Sequence, residues 1–414
     1  MKYIYTSVDI GSDTIKVVVC ELFNNKLNLL AASSVKSNGI KKGLITNGEE
    51  AGISLKKAIK EVEDMLGVKI KKVLATIPNY FSEFIMVKGE KHFEEATLIT
   101  GEEIVDVLKE SMKTKIPDNK VMVTTIPIDF TVDNKASTKD PKGMTANDLA
   151  VRAIMAVTPK KNILSVSTLL EDAGLDVVDI TLSSIGDMAS VKEKTVRDGV
   201  GAVVNIGHET TSISLFNKGI IVNNSVLSLG GKNIDSDISY MYKVTNKEAR
   251  RIKEKFALAH KKYASKGDYI EAMNKNGDTI KISQYEVSEV VMARIEEILI
   301  LARKEINTLT KRDIDYILIT GGTSSMTNFS LIAEETLGEK AIIGDIHLVG
   351  LRNNKYSACV GNIAYFISKM KLKGKMYSMI DKEEIEEISS SKDGVFSLSE
   401  ESMLGKVFGY FFSE

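Results

Sequence analysis

Two cysteines, Cys20 and Cys359, are all that the 414 residues carry. No disulfide framework can brace this chain, and both thiols fall in apolar strand- or helix-like surroundings that fit a reducing cytosol. An excess of one charge is missing too. The 55 basic and 56 acidic residues leave a net charge of −1, so no nucleic-acid surface is expected. No apolar run approaches the roughly 20 residues of a membrane-spanning helix. Met1-Lys2-Tyr3 runs directly into a strand with no signal-peptide core, and the expected body is soluble. The four histidines (His92, His208, His260 and His347) show no metal-ligand spacing, and no Ser/His/Asp set stands in a nucleophile-elbow context. Proline is scarce and confined. All five (Pro78, Pro117, Pro127, Pro141 and Pro159) lie in one segment. Helices and central strands tolerate proline poorly, so that segment reads as an inserted subdomain with its own architecture.

What the chain does have is a strand–turn–strand unit written twice. Val8 to Val19 places Gly11 in a polar turn between apolar strands, with Asp9 at the end of the first. Val204 to Ile213 repeats it, with Gly207 and Thr210 in register with Gly11 and Thr14. Each copy runs on into a hairpin, turning at Asn24-Asn25 and at Asn217-Lys218-Gly219. A third stretch, Tyr316 to Ser324, again puts glycines at the end of an apolar strand. Two matching units imply two related half-domains with a ligand held between their turns. Turns rich in Gly, Ser and Thr offer N–H and hydroxyl groups to an oligophosphate. Lys16 adds a positive charge, and Asp9 can hold a water-sheathed Mg²⁺. The competing reading is an ordinary β-rich core with three solvated turns, and the spaced trio argues against it.

Helical periodicity marks 50–66, 101–113, 161–173, 184–192, 247–262, 284–309, 327–337 and 357–370. Strands are expected at 71–77, 84–88, 121–132, 149–158, 176–181 and 341–349, and 226–312 reads as mostly helical. From 381 to 414 nine acidic and three basic side chains surround a Ser-rich middle, a composition that predicts disorder. The very end is different. After a capping-box pattern at Ser397–Glu400, Leu404, Val407, Phe408, Phe411 and Phe412 share one helical face. An amphipathic helix lying in a membrane surface is the favoured reading. Docking on a partner protein or on the chain's own body is the alternative. Lys406 is the only cation on that helix, so insertion would rest on apolar burial.

These motifs resemble those of the actin/Hsp70/hexokinase ATPase superfamily. Asp9 to Lys16 is similar to its first phosphate motif, Asn205 to Ser212 to the second, and Ile319 to Ser324 to the adenosine motif. Within the superfamily the chain resembles the FtsA family of bacterial actin-like division proteins. The inserted segment with Ile126 to Val132 and Gly143-Met144, and the tethered terminal helix, carry that likeness. The resemblance implies an α/β actin-like fold, two related RNase H-like half-domains around a nucleotide cleft, with an inserted α+β subdomain and a C-terminal amphipathic helix. It divides the chain into subdomain 1A (1–80 and 160–195), the insert 1C (81–159), subdomain 2A (196–225 and 315–370), subdomain 2B (226–314), a disordered linker (371–401) and the membrane-targeting helix (402–414). It implies ATP with Mg²⁺ as cofactors. Gly11, Ser12, Asp13, Thr14 and Lys16 would face the phosphates from one side. Gly207, His208, Glu209, Thr210 and Thr211 would face them from the other.

The same resemblance puts Gly230, Gly231 and Lys253 beside ribose and base, and Gly321, Gly322 and Thr323 behind the adenine. Asp9 and Asn205 would hold the metal's water shell. Two departures from the family pattern predict slow hydrolysis. Asn205 replaces the usual Asp, and His208 with Glu209 replaces the usual glycines, adding a carboxylate that would repel a terminal phosphate. Only Asp187 stands near the place of the Glu or Gln that orients the attacking water. Arg250 occupies a place often held by Glu. The implied partners are the FtsZ C-terminal peptide on 226–314, further copies of the chain in filaments, membrane lipids, and later division proteins on 81–159. An actin-fold small-molecule kinase, an Hsp70-like ATPase and a pilus or shape protein are the other readings.

Overall fold

The computed structural model describes residues 2–381 except residue 192, together with residue 384. The duplication read from the sequence is the plan of the molecule. In the first half, strand Tyr3–Ile10 pairs antiparallel with Thr14–Phe23, which pairs with Lys26–Lys36. On the other side of Tyr3–Ile10 lie the parallel strands Lys72–Ile77 and Asp176–Leu182. The second half repeats this order, from Ile220–Leu227 through Thr211–Asn217 and Val200–Ile206 to Tyr316–Thr320 and Ala341–Ile343. Each five-stranded sheet therefore has its phosphate-motif hairpin at the centre, and both turns emerge at the same edge of their sheets.

Apolar faces close the layers. Helix Gly48–Leu66 buries Leu55, Ala58, Ile59, Val62 and Leu66 against the first sheet. Asn47 caps its start by accepting from the Glu49 and Glu50 amides, and Gly67 ends it at a φ of 75°. The 26-residue helix Gln284–Leu309 buries Val287, Val291, Ile295, Ile298, Leu299, Ala302 and Ile306 against the second half. The insert is a curved sheet in the order Glu83–Leu98, Thr145–Pro159, Lys120–Val132, Ala136–Thr138. Its helix Gly101–Ser111 starts from a Thr100–Glu103 capping box.

Several expected elements change length. The strand expected at 84–88 runs on to Leu98, because its long pairing with Thr145–Pro159 stabilises it beyond what local pattern shows. The charged helix expected at 247–262 stops at Lys255, with Phe256 leaving helical geometry. The mostly helical reading of 226–312 missed the hairpin of Tyr269–Met273 and Thr279–Ser283. The strand expected at 341–349 is only Ala341–Ile343, and the helix expected at 184–192 is Ser183–Ala189. The linker expected from 371 is docked over its first residues. Met379 and Ile380 are buried, the Met379 amide donates to the Ile4 carbonyl at 2.8 Å, and Tyr377 meets Phe366 edge-on. The expected terminal helix, with Leu404, Val407, Phe408, Phe411 and Phe412, lies outside the described residues.

One close contact lies where two helices cross. Helix Ser183–Ala189 crosses helix Ser357–Leu372 backbone to backbone, Gly186 against Gly361. A Cβ at Gly361 would overlap the Gly186 carbonyl, and one at Gly186 would overlap Ala358. The approach leaves space for hydrogen alone. Gly361→Ala is expected to cost roughly 1–3 kcal/mol by forcing the helices apart. A urea midpoint indistinguishable from wild type would show that the crossing is not tight.

Candidate functional site

Both turns are closed by the same hydrogen bond. The Gly11 amide donates to the Thr14 carbonyl at 3.2 Å, and the Gly207 amide to the Thr210 carbonyl at 2.9 Å. Between the turns lies a cavity of about 510 Å³, within the range of small-ligand sites. Its wall includes Gly11, Ser12, Asp13, Thr14, Lys16, Gly207, His208, Thr210, Gly231, Lys253, Gly321, Gly322 and Thr323, with Asp9 and Asn205 at its base. Thirteen residues from the three motif stretches, with Gly231 and Lys253 from the chain between the second and third, thus meet at one surface.

Strand register explains the charges at the base. Asp9 and Lys16 are direct cross-strand partners, and the Lys16 ammonium donates to Asp9 Oδ2 at 2.6 Å. Thr76 Oγ1 donates to Asp9 Oδ1 at 2.7 Å from the neighbouring strand. Burial works against the charge on Lys16, but Asp9 more than offsets it and holds the ammonium above its ordinary range. Lys253 is paired with buried Asp235 at 2.7 Å and donates to the Gly231 carbonyl at 3.1 Å. Gly321 adopts a φ of 90°, where only glycine is unstrained, and Thr323 Oγ1 donates to the Gly207 carbonyl at 3.2 Å. That bond ties the adenosine motif to the second phosphate turn.

Four expected residues do not line the cavity. Thr211 is buried and donates to the Leu229 carbonyl at 2.9 Å. Gly230 packs under the second turn, where a Cβ would meet the Gly207 and His208 carbonyls. Glu209 is already engaged: its carboxylate accepts from the Lys232 ammonium and from the Lys42 amide, each at 2.6 Å. Burial pushes its carboxyl up, but these donors outweigh that and hold it below the usual carboxylate range. The carboxylate expected to repel a terminal phosphate is therefore already paired with Lys232, while Lys42, whose amide it holds, itself lines the cavity. Asp187 stands behind the wall. It accepts from Asn205 Nδ2 at 2.7 Å and from Ser357 Oγ at 2.5 Å, and burial pushes its carboxyl up to about 6.

Arg250, from helix Asn246–Lys255, reaches across the cleft and grips Asp13 with both terminal nitrogens. Its Nε donates to Glu254 Oε1 at 2.7 Å. Asp9, Asp13 and Glu254, the carboxylates of the lining, are thus all engaged by cations. His208 is held neutral by burial, against the opposing pull of Asp13 and Asp235. The sequence reading missed Lys42, Asn79, Tyr80 and Lys355, which also line the cavity. None lies in a repeated motif, and loop contacts alone bring them in. Asn79 Nδ2 spans the halves to Ser214 Oγ at 2.9 Å. Among the described residues no cluster of three or more His, Cys, Asp or Glu could hold a metal alone.

Comparison with known proteins gives the family context. A model described as "Cell division protein FtsA" matches residues 202–361, and one described as "SHS2 domain inserted in FTSA" matches 83–157. The chain is 26% identical over 392 residues to the cell division protein FtsA of Bacillus subtilis, covering 94% of this chain and 89% of that protein. It is 28% identical over 400 residues to the Staphylococcus epidermidis FtsA, covering 95% and 86%. Solved structures share the fold. MreB5 of Spiroplasma citri bound to ADP aligns with a TM-score of 0.55 at 13% identity, covering 90% of this chain and 98% of that one. A PilM–PilN type IV pilus biogenesis complex aligns with a TM-score of 0.55 at 15% identity, covering 87% and 98%. The actin-like fold, with the insert between the strands of its first half, is therefore the architecture of this chain.

The buried Asp187 carboxyl gives a pH signature. Burial lifts it to about 6, above the ordinary aspartate range, so folding favours its protonated form. That contribution is fully present below about pH 4 and is lost as pH rises through about 6, a change of up to about 3 kcal/mol. Asp187→Asn is expected to remove this decline from urea unfolding curves measured between about pH 4 and 7. Parallel pH profiles for variant and wild type would contradict it.

Proposed function

We propose, for a chain that belongs to the FtsA family of actin-like cell-division proteins, that it binds Mg-ATP in the cleft, assembles into filaments and tethers FtsZ filaments to the inner face of the cytoplasmic membrane. The observation that carries the nucleotide reading is the pair of superposable turns, Gly11–Thr14 and Gly207–Thr210, facing one cavity. Turn amides and hydroxyls with Lys16 suit the phosphates. Thr323 and Gly321–Gly322 suit the base. The residues fit a magnesium ion held through water: Asp9 supplies one carboxylate and Asn205 a neutral oxygen, the rest coming from phosphate and water. The ion would neutralise phosphate charge, and Asp9, anchored by Lys16 and Thr76, would fix its position. MreB5 of Spiroplasma citri, solved with ADP and with AMPPNP, supports the choice of ligand.

The nucleotide acts here as a ligand that closes the cleft, with hydrolysis slow. Before nucleotide enters, every carboxylate on the wall is ion-paired, and Asp187, the one acid near the place of the family's water-orienting Glu or Gln, does not line the cavity. The FtsZ tail is assigned to the 226–314 part. There a groove runs along helix Gln284–Leu309, lined by Met241, Val290 and Ala293 with Asp237, Glu286 and Glu297. Three apolar residues among five charged ones suit a peptide that pairs apolar anchors with charged groups. The insert, 81–159, is assigned to later division proteins. Leu404, Val407, Phe408, Phe411 and Phe412 are assigned to lipid. Among the described residues no helix is long and apolar enough to cross a membrane.

Lys16→Ala should weaken Mg-ATP binding by about tenfold or more in calorimetry, because a buried charge-assisted donor is lost. Equal affinity in a folded variant would remove Lys16 from the site. Phe408→Asp, and truncation to residues 1–395, should abolish co-sedimentation with liposomes while leaving ATP affinity unchanged. Undiminished pelleting of either would overturn the membrane assignment.

A further inference from the structure

Among the cations on the cavity wall, Lys16 and Lys253 face partners that belong to their own half, Asp9 and Asp235. Arg250 does not. Its helix belongs to the second half, and Asp13 belongs to the first phosphate turn. The guanidinium is bidentate on Asp13, with Nη2 2.8 Å from Oδ2. Burial raises the Asp13 carboxyl, but Arg250 outweighs it and keeps the group ionised. The first phosphate turn therefore carries a full negative charge, placed where a phosphate-binding turn ordinarily presents only donors, and masked by a cation from across the cleft.

That arrangement has a chemical consequence for an oligophosphate. A guanidinium fork matches a phosphate as well as it matches a carboxylate. A terminal phosphate entering the turn is repelled by Asp13 and attracted by Arg250, so the two groups compete for one cation. The side chains of Asp13 and Arg250 retain 23% and 34% of their exposure, so water can solvate either group when they part. Partly exposed pairs are worth little in isolation, which makes this one exchangeable. A nucleoside diphosphate, one phosphate shorter, can occupy the cleft without demanding the exchange.

Resting on the nucleotide reading above, we propose that Asp13 and Arg250 determine how the cleft discriminates nucleoside triphosphate from diphosphate: Arg250 is a phosphate-binding residue that Asp13 occupies until a terminal phosphate displaces it. The exchange also changes what spans the cleft. With diphosphate, helix Asn246–Lys255 is tied directly to the first turn. With triphosphate, it is tied to the ligand. Asp13 thus lowers affinity for triphosphate and couples the terminal phosphate to the link between halves.

Calorimetric titration of the full-length chain with Mg-ATP and with Mg-ADP, at low salt, tests this. Asp13→Asn should raise the ATP-to-ADP affinity ratio by about tenfold, and Arg250→Gln should lower it by about tenfold. Asp13→Ser, which removes the charge with a smaller side chain, should repeat the Asn result, and circular dichroism checks each fold. If Asp13→Asn changes both affinities by one factor, or weakens ATP selectively, the pair is a structural clamp and the proposal is overturned while the nucleotide site stands. If wild type binds neither nucleotide, both fall together.

Discussion

Where the two central helices cross, no side chain separates their backbones. Gly186 and Gly361 let helices Ser183–Ala189 and Ser357–Leu372 touch backbone to backbone. That approach brings Ser357 within 2.5 Å of Asp187, and Asp187 within 2.7 Å of Asn205. Asn205 ends the central strand of the second half and stands at the base of the cavity. The crossing helices thus set the position of a cavity residue through one buried carboxylate. Burying an acid there carries a desolvation cost, visible in the raised carboxyl, which two donors only partly offset. A geometric constraint of the backbone is thereby transmitted to the site.

Charge in the cavity follows a single logic. Asp9 neutralises Lys16, Asp235 neutralises Lys253, and Asp13 neutralises Arg250. Lys355 departs from it. It donates to Ser34 Oγ at 3.1 Å, and burial together with nearby Lys16 pushes its ammonium below the ordinary range. The lining nevertheless carries five cations against three carboxylates, so a polyanion would meet residual positive charge as well as ion pairs whose partners it must replace.

The insert and the chain's exit from the body are linked. The Gly101 position, at the start of the insert's helix, lies against the Lys373 backbone so closely that a Cβ would overlap it. Lys142, also in the insert, donates to the Lys371 carbonyl at 2.7 Å. Residues 377–380 then return to the first sheet through Met379 and Ile380. The segment that leads toward the expected lipid-binding end is therefore held by both the insert and the first half-domain. Tension along that segment would reach both.

The strand–turn–strand repeat, the insert and the three glycine-rich stretches were legible in the chain itself. A turn that needs Gly11 or Gly207, an adjacent Asp9–Lys16 register and a confined set of prolines are local consequences of backbone sterics and strand alternation. The amphipathic face of Leu404 to Phe412 is equally local. Other features depend on distance in space. The direction of the Glu209 carboxylate was set by Lys42 and Lys232, and the end of the helix at Lys255 by packing around Phe256. The partners of Arg250 and Asp187 lie 237 and 170 residues away in the chain. No local pattern encodes a partner at that range, because ion pairs and glycine crossings carry no periodicity. Sequence alone determined where the two glycine turns fall and that they match. Only the tertiary structure decided which charges around the cavity between them are already paired.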